Sequence, residues 1–165
     1  MRVATAVYPG TFDPITHGHR DIIERAANIF PRVIVSVAKV TNPSKSPLFN
    51  YEERVEMANV VLEAMDNVEV VGFSNLLAHF MDELEATIIV RGIRAVADFE
   101  YEFQMASINR HLNKKLETIF LTPSDQYTFV SSTMIREASR LDGNVSSLVH
   151  PFVHQKLLEK YHSFQ

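Results

Sequence analysis

Apolar positions in this chain gather into five short runs, residues 3–8, 33–38, 68–71, 87–90 and 118–121, each rich in branched side chains and bounded by turn formers or charge. Continuous apolar runs of that length predict strands buried on both faces. Between them the spacing changes to a helical period. Ile22, Ile23, Ala26, Ala27 and Phe30 form the first such stretch, Val55, Ala58, Leu62 and Met65 the second, and Leu77, Phe80, Met81 and Leu84 the third. Asn50 followed by Glu53 predicts a reciprocal cap at the start of the second helix, and Asp98 is the predicted cap of a helix that carries Phe99 and Phe103. From Val130 onward the pattern turns helical, Met134 to Leu141 and then Phe152 to Tyr161, a tail expected to pack on the same core.

Regular alternation of strand and helix demands crossover connections, which produce a mostly parallel sheet covered on both faces. The predicted fold class is α/β, a doubly wound five-stranded parallel sheet with C-terminal helices. A length of 165 residues, with 46% hydrophobic composition and no repeat or linker, fits one domain, 1–165.

Composition then removes whole classes of function. The absence of cysteine excludes disulfides, cysteine nucleophiles and thiolate metal sites, and suits a reducing compartment, so a cytoplasmic location is expected. The apolar run before Pro9 is too short for a secretory segment or a membrane span. A net charge of -4 lacks the basic field of a phosphate-backbone binder. Neither nucleic acid nor membrane is an expected partner.

In open parallel sheets, ligands bind beyond the carboxyl ends of the strands, where the strand order reverses. The segments that follow the five runs are PGTFDPITHGH, TNPSKSP, GFSNLL, RGIRAVADFEYE and TPSDQYTFVSST. Gly10, Gly18, Gly72 and Gly92 fall in them, which predicts tight turns and close backbone approach to a ligand. G-x-x-x-x-G-K-[ST] is absent, and Gly10 and Gly18 are too far apart for G-x-G-x-x-G, so this is neither a P-loop protein nor an ordinary dinucleotide binder.

Thr16-His17-Gly18-His19 instead puts an imidazole at a helix start, where unpaired N–H groups and the helix dipole favour anions. Thr11 adds a hydroxyl donor just after the first strand. Two plainer readings are a capping turn and metal ligation by Asp13, His17 and His19. Capping accounts for Thr16 but leaves His19 unexplained, and no carboxylate–histidine constellation elsewhere completes a metal site. Arg91 and Arg94, flanking Gly92 at the end of the fourth strand, suit a phosphate clamp, although such pairs are more often surface salt bridges. Lys45, on the loop after the second strand, is a weaker candidate. Ser131, Ser132 and Thr133 precede a helix, where simple capping needs only one hydroxyl.

YPGTFDPITHGH, PSKSPLF, RGIRAVADFEYEFQMASINRHL and SSTMIRE together closely resemble the phosphopantetheine adenylyltransferases, within the T/H-x-G-H nucleotidyltransferases, over nearly the whole chain. T-x-G-H alone leaves the acceptor open; RGIRAVADFEYE points to this family. The resemblance implies a Rossmann-like nucleotidyltransferase fold and transfer of the adenylyl group of ATP to 4′-phosphopantetheine, giving dephospho-coenzyme A and pyrophosphate. It implies ATP contacts from Thr11, Phe12 and His19, with His19 stabilising the transition state. Gly92, Ile93, Arg94, Glu102, Tyr127, Thr128, Phe129, Val130, Ser131, Ser132 and Thr133 would complete the ATP site. The acceptor would be held by Thr11, Lys45, Leu77 and Arg91. His19, Lys45 and Arg94 are the catalytic candidates. Mg²⁺ is expected mainly on the ATP phosphates, with few protein ligands.

His17 stands where the family often has Asn, and Ser46 where it often has a second basic residue. Phe99, Phe103 and Ala106 form one apolar stripe on the helix after the fourth strand, and Tyr101, Met105, Ile108 and Leu112 another. Two apolar sides call for two partners, which predicts a homo-oligomer unless the C-terminal helices cover the second stripe. The resemblance implies a hexamer. Two rival readings are a relative acting on another phosphorylated acceptor, such as nicotinamide mononucleotide, and a non-catalytic nucleotide-binding module.

Overall fold

The computed structural model describes residues 4–39, 44 and 46–162; the Lys45 candidate lies outside them. Strands β1 (Thr5–Gly10), β2 (Arg32–Ala38), β3 (Val68–Phe73), β4 (Ile88–Gly92) and β5 (Glu117–Leu121) form one sheet in the order β3-β2-β1-β4-β5, every pairing parallel. Helices α1 (His17–Ile29), α2 (Tyr51–Leu62), α3 (Leu77–Glu83) and α4 (Val96–Leu112) fill the connections, and α5 (Ser132–Arg140) and α6 (Pro151–His162) close the described chain.

Side chains alternate across the sheet, so each inner strand feeds two cores. Ala6, Tyr8, Val33, Val35, Val37 and Val90 face α1, α2, α5 and α6 in the larger cluster, whereas Val7, Ile34 and Ile89 meet α3 residues Ala78, Phe80 and Met81 in the smaller. Each fully buried branched side chain contributes about 1.5–3 kcal/mol over its exposed state. The doubly wound sheet expected from the sequence is therefore observed, with Ile135, Val153 and Leu157 of the C-terminal helices in the larger core.

Several local expectations change. The cap between Asn50 and Glu53 is present in both directions at 2.8 Å. Asp98, in contrast, is not an N-cap: α4 starts after Ala95, and Asp98 in its first turn accepts the Arg94 N–H at 3.0 Å. Gly10 and Gly92 end strands and Gly72 lies inside β3 rather than making turns, because the parallel ladders continue through Gly10↔Val37, Val37↔Gly72 and Gly92↔Leu121. No described glycine has positive φ; the sharp turn after β1 is made by Phe12, at φ 51. Gly10 sits close to its neighbour, and a Cβ there would lie 3.0 Å from the Phe12 ring, tighter than an ordinary contact.

The C-terminal helices do not cover α4. They pack with α2 and each other on the opposite side of the sheet, leaving Tyr101, Ile108 and Leu112 as well as Phe99 and Phe103 exposed. Phe99 stacks on Phe103 and meets Phe120 edge-on.

Arg54 joins the strand ends to α2. Only 1% exposed, it donates from Nε to Phe49 O at 3.1 Å and from Nη1 to Thr11 O and Ala38 O, each at 2.8 Å. Burial lowers its pKa, with the nearby Asp13 charge acting the other way. Arg54→Met should leave these carbonyls without their donor and destabilise the fold by about 2–4 kcal/mol, read from the urea midpoint. A loss below about 1 kcal/mol would mean that the loops are held by other means.

Candidate active site

The strand order reverses between β1 and β4, so the crevice there is the expected ligand position. A cavity of about 880 Å³ opens at this point. Its walls include Thr11, Phe12 and His19 from the β1 end, Arg91, Gly92 and Arg94 from the β4 end, Glu102 from α4, and Tyr127, Val130, Ser131, Ser132 and Thr133 before and within α5. A second cavity of about 310 Å³ adjoins it, sharing Thr11, Arg91 and Glu102 and adding Leu77, Ile89, Ala106 and Asn109.

The first turn of α1 sets the chemistry of the larger cavity. Thr16 is the N-cap, and its Oγ1 accepts the His19 N–H at 3.3 Å while the Thr16 N–H donates to His19 Nδ1 at 3.0 Å. His19 is therefore the reciprocal member of a capping box, which corrects the expectation that capping would leave it unexplained. Because Nδ1 accepts from the backbone, the ring proton of the neutral imidazole resides on Nε2. Burial, with Arg91 and Arg94 close by, lowers the His19 pKa to about 3. The ring is thus a neutral donor, flanked edge-on by Phe12 at 5.0 Å.

Asp13 does not join His17 and His19 as a metal ligand. Its carboxylate accepts the Leu48 and Phe49 N–H groups, both at 2.9 Å, and tethers the segment that leads into α2. Among the described residues, no group of three or more His, Cys, Asp or Glu side chains is arranged to hold a metal ion.

The two arginines both line the cavity, and α4 supplies each with a carboxylate. Arg91 makes a bidentate pair with Glu102 at 2.8 and 2.6 Å and donates to Pro9 O at 2.5 Å. Burial would lower its pKa, but the Glu102 hydrogen bonds and charge outweigh it and the net shift is upward. Arg94 pairs with Asp98 at 3.2 Å and reaches Val130 O at 3.0 Å. Burial would raise the Asp98 pKa, but the Arg94 hydrogen bonds and charge bring it below the usual range. These guanidiniums are at once salt-bridged and aimed at the cavity, so the two readings of the pair are compatible.

At α5 the three hydroxyls divide their work. Ser131 caps the helix by accepting the Met134 N–H at 3.1 Å, Ser132 Oγ donates to Pro14 O at 2.8 Å, and Thr133 Oγ1 accepts from Arg136 at 3.4 Å. Ile93, Thr128 and Phe129 do not line either cavity, and Leu77 lines only the smaller. Tyr8, Tyr101, Met105 and Arg136 also line the larger cavity. Arg136, one turn beyond Thr133 on the same helix, was visible as an i, i+3 spacing. Tyr8, whose hydroxyl is pushed up to about 12 mainly by burial, was hidden in an apolar strand. Tyr101 and Met105 looked like the outer stripe of α4.

A doubly wound sheet with an imidazole in the first turn of a helix at its switch point fits several nucleotide-binding classes, and family membership makes this one a nucleotidyltransferase. The profile of the cytidylyltransferase-like family matches residues 7–138, and the chain belongs to that family. More narrowly, it belongs to the phosphopantetheine adenylyltransferases: it is 56% identical over 154 residues to phosphopantetheine adenylyltransferase of Nitrosomonas eutropha, covering 93% of each chain. Among solved structures it shares its fold with a Vibrio parahaemolyticus protein assigned as a nicotinate-nucleotide adenylyltransferase (TM-score 0.69, 19% identity, 95% of this chain and 99% of that one). The Plasmodium falciparum nicotinic acid mononucleotide adenylyltransferase complexed with NaAD is similar in the same way (TM-score 0.68, 17% identity, 98% and 97%).

A free histidine titrates near 6.5, so the unfolded chain takes up a proton at His19 as pH falls through that value while the folded chain does not until about 3. The stability contributed by neutral His19 is present above pH 6.5 and is lost on acidification between those values. Imidazole ¹⁵N NMR should show His19 as the Nε2–H tautomer without titrating from pH 8 to 5; a midpoint near 6.5 would contradict this. A Cβ on Gly18 would meet only ordinary contacts, at 3.4 Å or beyond, on a residue that lines the cavity. Gly18→Ala should therefore keep the wild-type melting temperature yet weaken nucleotide binding, as calorimetry with ATP would register.

Proposed function

We propose that this chain transfers the adenylyl group of ATP to 4′-phosphopantetheine, releasing pyrophosphate and forming dephospho-coenzyme A in coenzyme A biosynthesis, as a single domain spanning residues 1–165. Membership of the family supports the reaction. The observation that carries the reading is the meeting of two unlike cavities at Thr11 and Arg91. The larger, rich in arginine and helix-start donors, suits a triphosphate nucleotide. The smaller, which adds Leu77, Ile89 and Ala106 to the residues the two share, suits the methyl and methylene segments of an extended arm whose phosphate ends at Arg91.

On this reading an oxygen of the acceptor phosphate attacks the α-phosphorus in line as the bond to pyrophosphate breaks. The nucleophile is already anionic near neutral pH, so positioning and charge stabilisation suffice. His19 Nε2–H donates to an α-phosphate oxygen as charge develops, with Lys45 in the same role from the β2 loop. Arg94 and the start of α5 receive the leaving pyrophosphate. Mg²⁺ arrives on the ATP phosphates as part of the substrate.

A cytoplasmic location accords with the absence of cysteine. Among the described residues no helix is long and apolar enough to cross a membrane. The uncovered α4 face, with Val96 91%, Tyr101 62% and Phe103 55% exposed, supports assembly of identical subunits, and the family resemblance suggests six.

Mass spectrometry of the product made from ATP, Mg²⁺ and 4′-phosphopantetheine tests donor, acceptor and reaction together; adenylylation of nicotinamide mononucleotide instead would favour the rival acceptor. His19→Ala should lower turnover ~10²–10³-fold with the fold intact, and wild-type turnover in that variant would remove His19 from the mechanism. Light scattering should give a homo-oligomer that Ile108→Asp dissociates, whereas a stable monomer at micromolar concentration would refute the assembly.

A further inference from the structure

The connection between β5 and α5, residues 122–131, contributes Pro123, Tyr127, Val130 and Ser131 to the larger cavity and contains one 3₁₀ turn, Asp125–Tyr127. Its later end is tied by the Arg94 bond to Val130 O at 3.0 Å. Its beginning is tied to α1 by Asp21. The Ser124 N–H donates to Asp21 Oδ2 at 2.8 Å and the Ser124 hydroxyl to Oδ1 at 2.7 Å. Arg25 closes the ring, donating from Nε to Asp21 Oδ2 at 3.0 Å and from Nη2 to Ser124 Oγ at 2.8 Å.

The Asp21 side chain is 16% exposed and does not line either cavity. Burial would raise its pKa, but the two Ser124 bonds and Arg25 bring it below the usual range, so the link is charge-assisted throughout the neutral range. Two N–H and O–H donors from one residue on one carboxylate leave that residue's backbone little freedom. Asp21 also lies two positions beyond His19 on the same helix. The helix that presents the imidazole thus anchors the wall across from it.

We propose that Asp21 is a positioning residue which, through Ser124, sets the separation between His19 and the Tyr127–Ser131 wall and thereby the affinity for ATP. The inference rests on ATP occupying the larger cavity. Without the anchor, the nucleotide must order the connection as it binds, and the entropy of that ordering subtracts from affinity. The acceptor cavity lies on the α3 and α4 side of the sheet and shares none of the residues from 122 to 131. Its substrate should be insensitive to the change.

Asp21→Asn keeps size and one acceptor oxygen while removing the charge and the second acceptor. Ser124→Ala removes the hydroxyl arm from the other side and leaves the Asp21–Arg25 pair in place, so it carries the test if Asp21→Asn folds poorly. With wild type, both singles and the double variant, ATP Kd would be measured by calorimetry and KM for each substrate by pyrophosphate release. Each single should raise ATP Kd and KM on the order of tenfold, with KM for 4′-phosphopantetheine within about twofold. The double variant should lose less than the sum of the two singles, because both weaken the same Asp21–Ser124 link. Unchanged ATP Kd, a parallel rise in both KM values, or additive losses would overturn the proposal. Failure of the wild type to bind ATP would instead overturn the reading of the cavity and the inference with it.

Discussion

The reciprocal hydrogen bonds between Thr16 and His19 are the constraint on which the site depends. They satisfy donors that a helix start leaves unpaired, and in doing so they occupy Nδ1 and leave Nε2 to carry the proton. Helix initiation, ring orientation and choice of tautomer are therefore one event. Burial and the neighbouring guanidiniums then keep the ring neutral. The crevice therefore combines two guanidiniums, each already paired with a carboxylate of α4, and a directed, uncharged donor from His19.

Holding cations in a partly dry crevice has its own requirements. A guanidinium removed from water must exchange hydration for hydrogen bonds of fixed geometry. Arg91 finds them in Glu102 and Pro9 O, Arg94 in Asp98 and Val130 O, and Arg54 in carbonyls alone. These bonds also join elements: Arg91 links β4, β1 and α4, Arg94 links the β4 end to the segment before α5, and Arg54 links the β1 and β2 ends to the start of α2. Arg91 and Arg94, which line the crevice, are thus also among the groups that join its walls.

Much of this was legible in one dimension because the responsible forces are local. Apolar runs and the change of period marked the strands and most helices, and the Asn50–Glu53 cap was visible three residues apart. The clustering of Thr11, His19, Arg91, Arg94 and Ser131 to Thr133 was predictable from the rule that ligands sit beyond the strand ends. Asp98 suggests an N-cap because a carboxylate in a first turn and one at an N-cap are both favourable, and only the backbone of Ala95 decides between them. Gly10, Gly72 and Gly92 suggest turns by residue type, because the ladder hydrogen bonds that extend the strands through them come from neighbouring strands and leave no mark on residue type.

The sequence by itself determined the alternation of elements, the caps that depend on residues within one turn, and the inventory of cationic and hydroxyl groups at one end of the sheet. Tertiary structure alone decided which carboxylate holds which arginine, that Asp13 serves the Leu48 and Phe49 amides rather than a metal, that Tyr8, Tyr101 and Arg136 face the cavity, and that α4 stays uncovered. The physical reason is range. Periodicity and capping act over a few residues, whereas bonds such as Asp21 to Ser124 and Arg54 to Thr11 exist only once crossover helices have brought distant strand ends together.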